Sequence, residues 1–158
     1  MPRIKDATYW AEKLGQGKIS TSDLLLLTEK KIADINPRYN ALVAYDIVKA
    51  QDDLSTTKTG FFAGVPFPLN MLGQDHAGLP STASAKLFKD NVAQADDNYV
   101  KALLTSGLTP FGQTNAPEFG FKNISDSALY GDTRNVWNPA HYSGGSSGGA
   151  ASAVAAGI

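Results

Sequence analysis

Cysteine is absent from the sequence. That removes disulfide scaffolds, zinc–thiolate centres and thiol nucleophiles, and it fits a reducing compartment. Neither sign of charge is in excess: 14 Lys+Arg stand against 15 Asp+Glu, a net charge of -1. A nucleic-acid binder needs a basic surplus to displace counterions, and a polybasic membrane anchor needs the same. Neither partner is expected. No apolar run approaches the roughly 18 residues of a membrane span, and Met1 to Asp6 lacks the apolar stretch of a signal peptide. The cytoplasm is the expected location. What is present is 158 residues, 42% hydrophobic and 18% charged. This is the composition of one soluble globular domain, taken here as residues 1–158.

Hydrophobic spacing predicts the elements. Ala7, Trp10, Ala11 and Leu14 mark one helical face, and Gly15 and Gly17 stop it. Residues 20–23 offer several N-caps for a second helix striped by Leu24, Leu27, Ile32 and Ile35. Asn36-Pro37 is expected to end it, because the residue before proline avoids helical angles. Residues 41–45 read as a strand, and Asp46 caps a helix reaching about residue 58. Residues 61–69 suggest a strand whose prolines, Pro66 and Pro68, confine it to an edge or a loop entry. Residues 73–97 read mainly as a long loop, more often functional than idle. A helix over 97–104 turns Val100, Leu103 and Leu104 inward, and a strand follows at 108–111. Residues 123–147 are again loop-like, and the tail is an alanine-rich helix. Strands alternating with helices predict an α/β fold. The apolar tail lacks the solvated terminus that domains usually have, so a domain cut short is expected.

The densest chemical signal is Gly144-Gly145-Ser146-Ser147-Gly148-Gly149 ahead of that helix. Glycines let backbone approach a ligand closely, and a helix N-terminus offers free N–H groups. A phosphate cradle of the Walker type needs Gly-Lys-Ser/Thr, and no lysine follows Lys122. A hydrolase nucleophile elbow needs a preceding strand and a later acid and histidine, and nothing after Ser147 is Asp, Glu or His. A serine can also work with a desolvated lysine as base. The bland alternative is a tight turn that starts a helix.

Four segments together resemble the amidase signature family. They are Gly64-Val65-Pro66-Phe67-Pro68-Leu69, the stretch from Gly112-Gln113-Thr114-Asn115 to Glu118-Phe119-Gly120, Gly131-Asp132-Thr133-Arg134-Asn135-Val136-Trp137-Asn138, and the double-glycine, double-serine turn. Their order and spacing agree from about residue 20 to residue 158. The resemblance implies a mixed β-sheet layered by α-helices. It implies amide hydrolysis by a Ser-Ser-Lys triad, in which a serine held by a cis peptide relays a proton between a lysine and a nucleophilic serine. The relay serine falls on Ser146, and Gly144, Gly145 and Ser147 fall in the substrate-binding turn. The lysine position is occupied by Asn70, and the usually acidic position after it by Met71. The nucleophile belongs to a later glycine-rich motif, yet only 12 residues follow Ser146. A carboxamide cannot take the proton that a neutral lysine takes.

The expectation is therefore the N-terminal portion of an incomplete amidase-signature domain, silent on its own, needing no cofactor or metal. Its partners would be a small carboxamide substrate and either a complementary C-terminal chain or a second copy. Two other roles stay open: a non-catalytic binding or regulatory protein, and a subunit of a tRNA-dependent amidotransferase, whose branch shares these motifs. Among the remaining candidates, Lys86, Lys89 and Lys122 read as solvated surface. His76 reads as a loop histidine, because adjacent Asp75 cannot easily point at it. His141 reads as a local packing residue, and Glu118 as a backbone cap. Trp10 and Trp137 read as core or loop anchors.

Overall fold

The computed structural model describes residues 5–55 and 59–158. The elements run α1 (Ala7–Gly15), α2 (Thr21–Tyr39), β1 (Leu42–Tyr45), α3 (Ile47–Asp52), β2 (Pro66–Asn70), α4 (Asn98–Thr105), β3 (Thr109–Thr114) and α5 (Gly148–Ala156). Short 3-10 turns lie at Asp53–Ser55, Lys86–Phe88 and Glu118–Gly120. The strand order is β1-β3-β2. Strand β3 pairs antiparallel with β1 and parallel with β2, so the sheet is mixed and the fold is α/β, as the sequence predicts.

Short polar side chains start the helices. Asp6, Asp46 and Asp97 each accept the backbone N–H three residues on, from Tyr9, Lys49 and Val100. Helix α2 opens with a reciprocal box in which Ser20 Oγ accepts the Asp23 N–H and Asp23 accepts the Ser20 N–H. Hydrogen bonds from the Ser20 side chain, then from its backbone, hold the Asp23 carboxyl below its usual range.

The end of α2 departs from expectation. It passes Pro37 and closes at Asn40, which adopts left-handed angles with φ of 50°. Asparagine tolerates that conformation, and a proline this close to a helix end costs little propagation. Asn36, still helical, accepts the N–H groups of Ala41 and Leu42 on its Oδ1, both at 2.8 Å, and so steers the chain into β1. The inward stripe of α2 also differs, since Leu24, Leu25 and Ile32 are buried while Leu27 is exposed. Helix α3 is shorter than expected and passes into the 3-10 turn at Asp53–Ser55; the rest of that expected helix, residues 56–58, lies outside the described residues.

Strand β3 runs past the apolar residues 108–111 to Thr114. The whole strand is buried; Gln113 Nε2 donates to the Pro80 carbonyl at 2.7 Å and Thr114 Oγ1 to that of Leu69 at 3.2 Å, while Thr109 Oγ1 and Gln113 Oε1 have no hydrogen-bond partner among the described residues. Pro110 sits in this central strand where the register slips opposite Phe67 and Pro68, and a bulge is where a strand tolerates proline. Strand β2 lies at the edge, as its prolines require.

Leu25, Ile32, Leu42, Ile47, Phe111 and Ala153 form the core between α2, α3, α5 and the sheet. Leu69, Leu79 and Val100, with Leu103 and Leu104 against them, fasten α4 and the long loop to the other side. Trp10 packs beside Ala11, Val65 and Leu108. Trp137 is 82% exposed, which removes the core alternative of the two expected for it. Among the described residues no helix is long and apolar enough to cross a membrane.

Candidate active site

Strands β2 and β3 are parallel, so their carboxyl ends open in the same direction, where α/β sheets gather ligands. Asn70 closes β2 opposite Thr114. The next residue of β3's run, Asn115, donates its N–H to the Ala41 carbonyl and accepts the Gly149 N–H on its own carbonyl. That crossing seats the first turn of α5 over the strand ends. The glycine-rich turn is thereby held above Asn70, some 77 residues away in sequence.

Contact is direct. Asn70 Nδ2 donates to Ser147 Oγ at 3.1 Å. Asn70 Oδ1 accepts the Leu72 N–H at 3.0 Å, and the Asn70 N–H donates to Gln74 Oε1 at 2.6 Å. The side chain is thus fixed at both ends and half-buried. Ser146 follows a cis peptide from Gly145 and is half-buried, whereas Ser147 is exposed. The Asn70 side chain therefore engages Ser147, the second serine, and not Ser146.

The turn rests on residues 123–125. A Cβ on Gly145 would lie 2.8 Å from the Ile124 nitrogen and 2.9 Å from the Asn123 carbonyl carbon, so backbone approaches there at a distance only glycine permits. Ser125, which sequence reasoning passed over inside an apparently featureless loop, touches the turn three times. Its N–H donates to the Gly144 carbonyl at 2.9 Å. Its Oγ donates to the Ser146 carbonyl at 3.0 Å and accepts the Gly148 N–H at 2.9 Å. No local signal marks such a residue, because its partners lie about twenty positions away.

The other candidates scatter. Lys86, Lys89 and Lys122 are exposed, the last two beside Asp90 and Asp126. His141 is exposed and Glu118 half-buried. His76 lies in the loop, as expected, but is buried there: it is 7% exposed, and its Nδ1 lies 2.7 Å from Asp96 Oδ1. Its Nε2 lies 3.5 Å from both Lys49 Nζ and Asp53 Oδ2, and Lys49 itself pairs with Asp53 at 2.5 Å. This cluster clips the long loop to α3. Among the described residues no group of three His, Cys, Asp or Glu is placed to hold a metal.

Burial works against the Asp96 carboxylate, but the Ala77 N–H, the His76 hydrogen bond and charge, and the Lys49 charge outweigh it and hold the carboxyl below its usual range. A lowered folded pKa means stability that is present above the unfolded carboxylate value, about 4, and lost as pH falls through the folded value. Asp96→Asn is expected to lower the urea midpoint at neutral pH and to flatten its decline on acidification. An acid limb as steep as in the parent would refute the assignment.

Comparison with known proteins identifies the family and the fold. The Amidase family model matches residues 23–158. The chain is 42% identical over 145 residues to a lipoamidase of Enterococcus faecalis, covering 88% of this chain and 19% of that protein. It is 36% identical over 156 residues to the 6-aminohexanoate-cyclic-dimer hydrolase of Paenarthrobacter ureafaciens, covering 98% of this chain and 31% of that one. A solved structure of 6-aminohexanoate cyclic dimer hydrolase superposes with a TM-score of 0.89 at 37% identity, over 96% of this chain and 32% of that chain. The chain thus spans about a third or less of the length of these relatives. With a family model over most of its residues and a shared fold over nearly all of them, this chain belongs to the amidase family.

Proposed function

We propose that these 158 residues carry the proton-relay portion of an amide C–N hydrolase, with Ser146 as the relay, and that they do not turn over amides by themselves. The observation that carries this is the docking of the serine turn onto the end of β2, which brings position 70 into hydrogen-bond contact with Ser147, the residue after Ser146. In a complete site a neutral lysine at position 70 would accept the Ser146 proton, and Ser146 would in turn take one from a nucleophilic serine attacking the carbonyl. Asn70 cannot play that part. Its Nδ2 only donates and its Oδ1 is occupied by the Leu72 N–H. No Gly-Gly-Ser follows Ser146 in this sequence to supply the attacking hydroxyl.

The substrate class is a small carboxamide bound at Gly144, Gly145 and Ser147, with no cofactor. The partner is a complementary chain or a second copy covering α5, which is apolar on every side and exposes Val154. The purified chain, assayed for ammonia release from glutamine and short aliphatic amides, is expected to show none. Turnover by the purified chain alone would overturn the proposal. A binding role without catalysis is favoured by the same Asn70, a rigidly held carboxamide in contact with the Ser147 hydroxyl. Calorimetric binding of a simple carboxamide or carboxylate, weakened by Ser147→Ala, would select that role.

A further inference from the structure

The geometry points to Ser125 as the positioning residue of the Ser146-Ser147 turn, capping α5 from outside the helix; its bearing on catalysis rests on the relay role proposed for Ser146. Ser147 occupies the N-cap position of α5, yet its side chain makes no cap hydrogen bond. Its hydroxyl is engaged by Asn70 instead. A helix start leaves several N–H groups without intrahelical partners, and a buried one must find an acceptor elsewhere. At Gly148, which is buried, that acceptor is Ser125 Oγ.

The same hydroxyl passes its own proton to the Ser146 carbonyl, so one oxygen ties together the residues on either side of Ser147. Ser125 is itself fully buried, and its carbonyl accepts the Thr133 N–H at 2.8 Å, so the strut is anchored at its far end. Gly148 has no room for a side chain. A Cβ there would lie 2.5 Å from Ser125 Oγ and 2.3 Å from Ser143 Oγ. The hydroxyl therefore lies against the backbone at Gly148, and both its donor and acceptor capacities are used. Removing it strands the Gly148 N–H and frees the Ser146 carbonyl to rotate, and the Ser147 hydroxyl then loses its place over Asn70.

The test reads two signals in the intact chain, neither of which depends on amide turnover. In Ser125→Ala the Gly148 amide is expected to exchange about tenfold faster or more. The Asn70 side-chain amide protons should shift toward free-carboxamide positions, while the amides of β3 keep their protection. Ser125→Thr, which keeps the oxygen, should hold both signals near the parent's. A loss of bulk stability alone would speed exchange everywhere and would leave the Asn70 resonances in place; that pattern overturns the assignment, as does an unchanged Gly148 amide. Should Ser125→Ala not fold, Ser125→Cys, slightly larger at the sulfur, weakens both bonds and is read in the same way. If both signals move as expected while Ser146 proves irrelevant to hydrolysis, the strut stands and only the relay role fails.

Discussion

Gly149→Ala is expected to cost about 3 kcal/mol or more of folding stability, at or beyond the upper end of ordinary overpacking. A Cβ at this position would lie 2.3 Å from the Asn115 nitrogen and 2.5 Å from both the Asn115 and the Ala41 carbonyl oxygens. All three are backbone atoms, and two of them form the Asn115–Ala41 hydrogen bond that joins β3's continuation to the start of β1. No side chain can swing aside to make room. The helix must lift instead, breaking the Gly149–Asn115 bond and uncovering Ala153, which belongs to the main core. Against a total stability of about 5–15 kcal/mol, this is enough to leave much of the chain unfolded at moderate urea. Gly15→Ala is the control, since nothing lies within 4 Å of a Cβ there. Coincident urea midpoints for the two variants would show that the crossing is looser than described.

The second large effect is catalytic. Grafted in place of the corresponding part of the cyclic-dimer hydrolase, residues 1–158 are expected to give a poor amidase with Asn70 and a far better one with Asn70→Lys. The gain should be about a thousandfold or more, because members of a proton-relay unit fail together and are restored together. Position 70 suits a neutral amine: it is half-buried and touches the N-cap residue of α5, where the positive helix end disfavours an added cation. The rate of the Asn70→Lys graft should rise with pH as the ammonium loses its proton, and adding Ser146→Ala should erase the gain. Equal rates for the grafts with and without Asn70→Lys would sink the relay assignment, because position 70 would then have no part in proton transfer.

Much of this architecture could be read directly from the residues. The starts of α2 and α3 were legible because Ser20 and Asp46 act on N–H groups three positions away, a purely local relation. The amidase resemblance rested on short segments whose order survives in the fold, and it brought position 70 and the serine turn to one site. Endings and long-range partners were harder to see. Pro37 suggested a stop, yet the determining residue was Asn40, whose tolerance of left-handed angles set the true end. Strand β3 outran its apolar stretch because burial of Gln113 and Thr114 depended on the Pro80 and Leu69 carbonyls, invisible in a one-dimensional pattern. His76 found its carboxylate twenty residues downstream in Asp96, not in adjacent Asp75. Ser125 was missed for the same reason, and so was the preference of Asn70 for the second serine over the first.

The strand order carries a consequence for how the chain is made. Strands β1 and β2 form no ladder with each other among the described residues; each has β3 as its sheet neighbour. Both are synthesised well before it, with β1 complete at Tyr45 and β2 at Asn70, while β3 ends only at Thr114. A nascent chain paused at Thr105, the end of α4, would therefore hold β1 and β2 without the strand that each pairs with. Neither ladder can begin until the middle strand emerges, because each outer strand pairs with it.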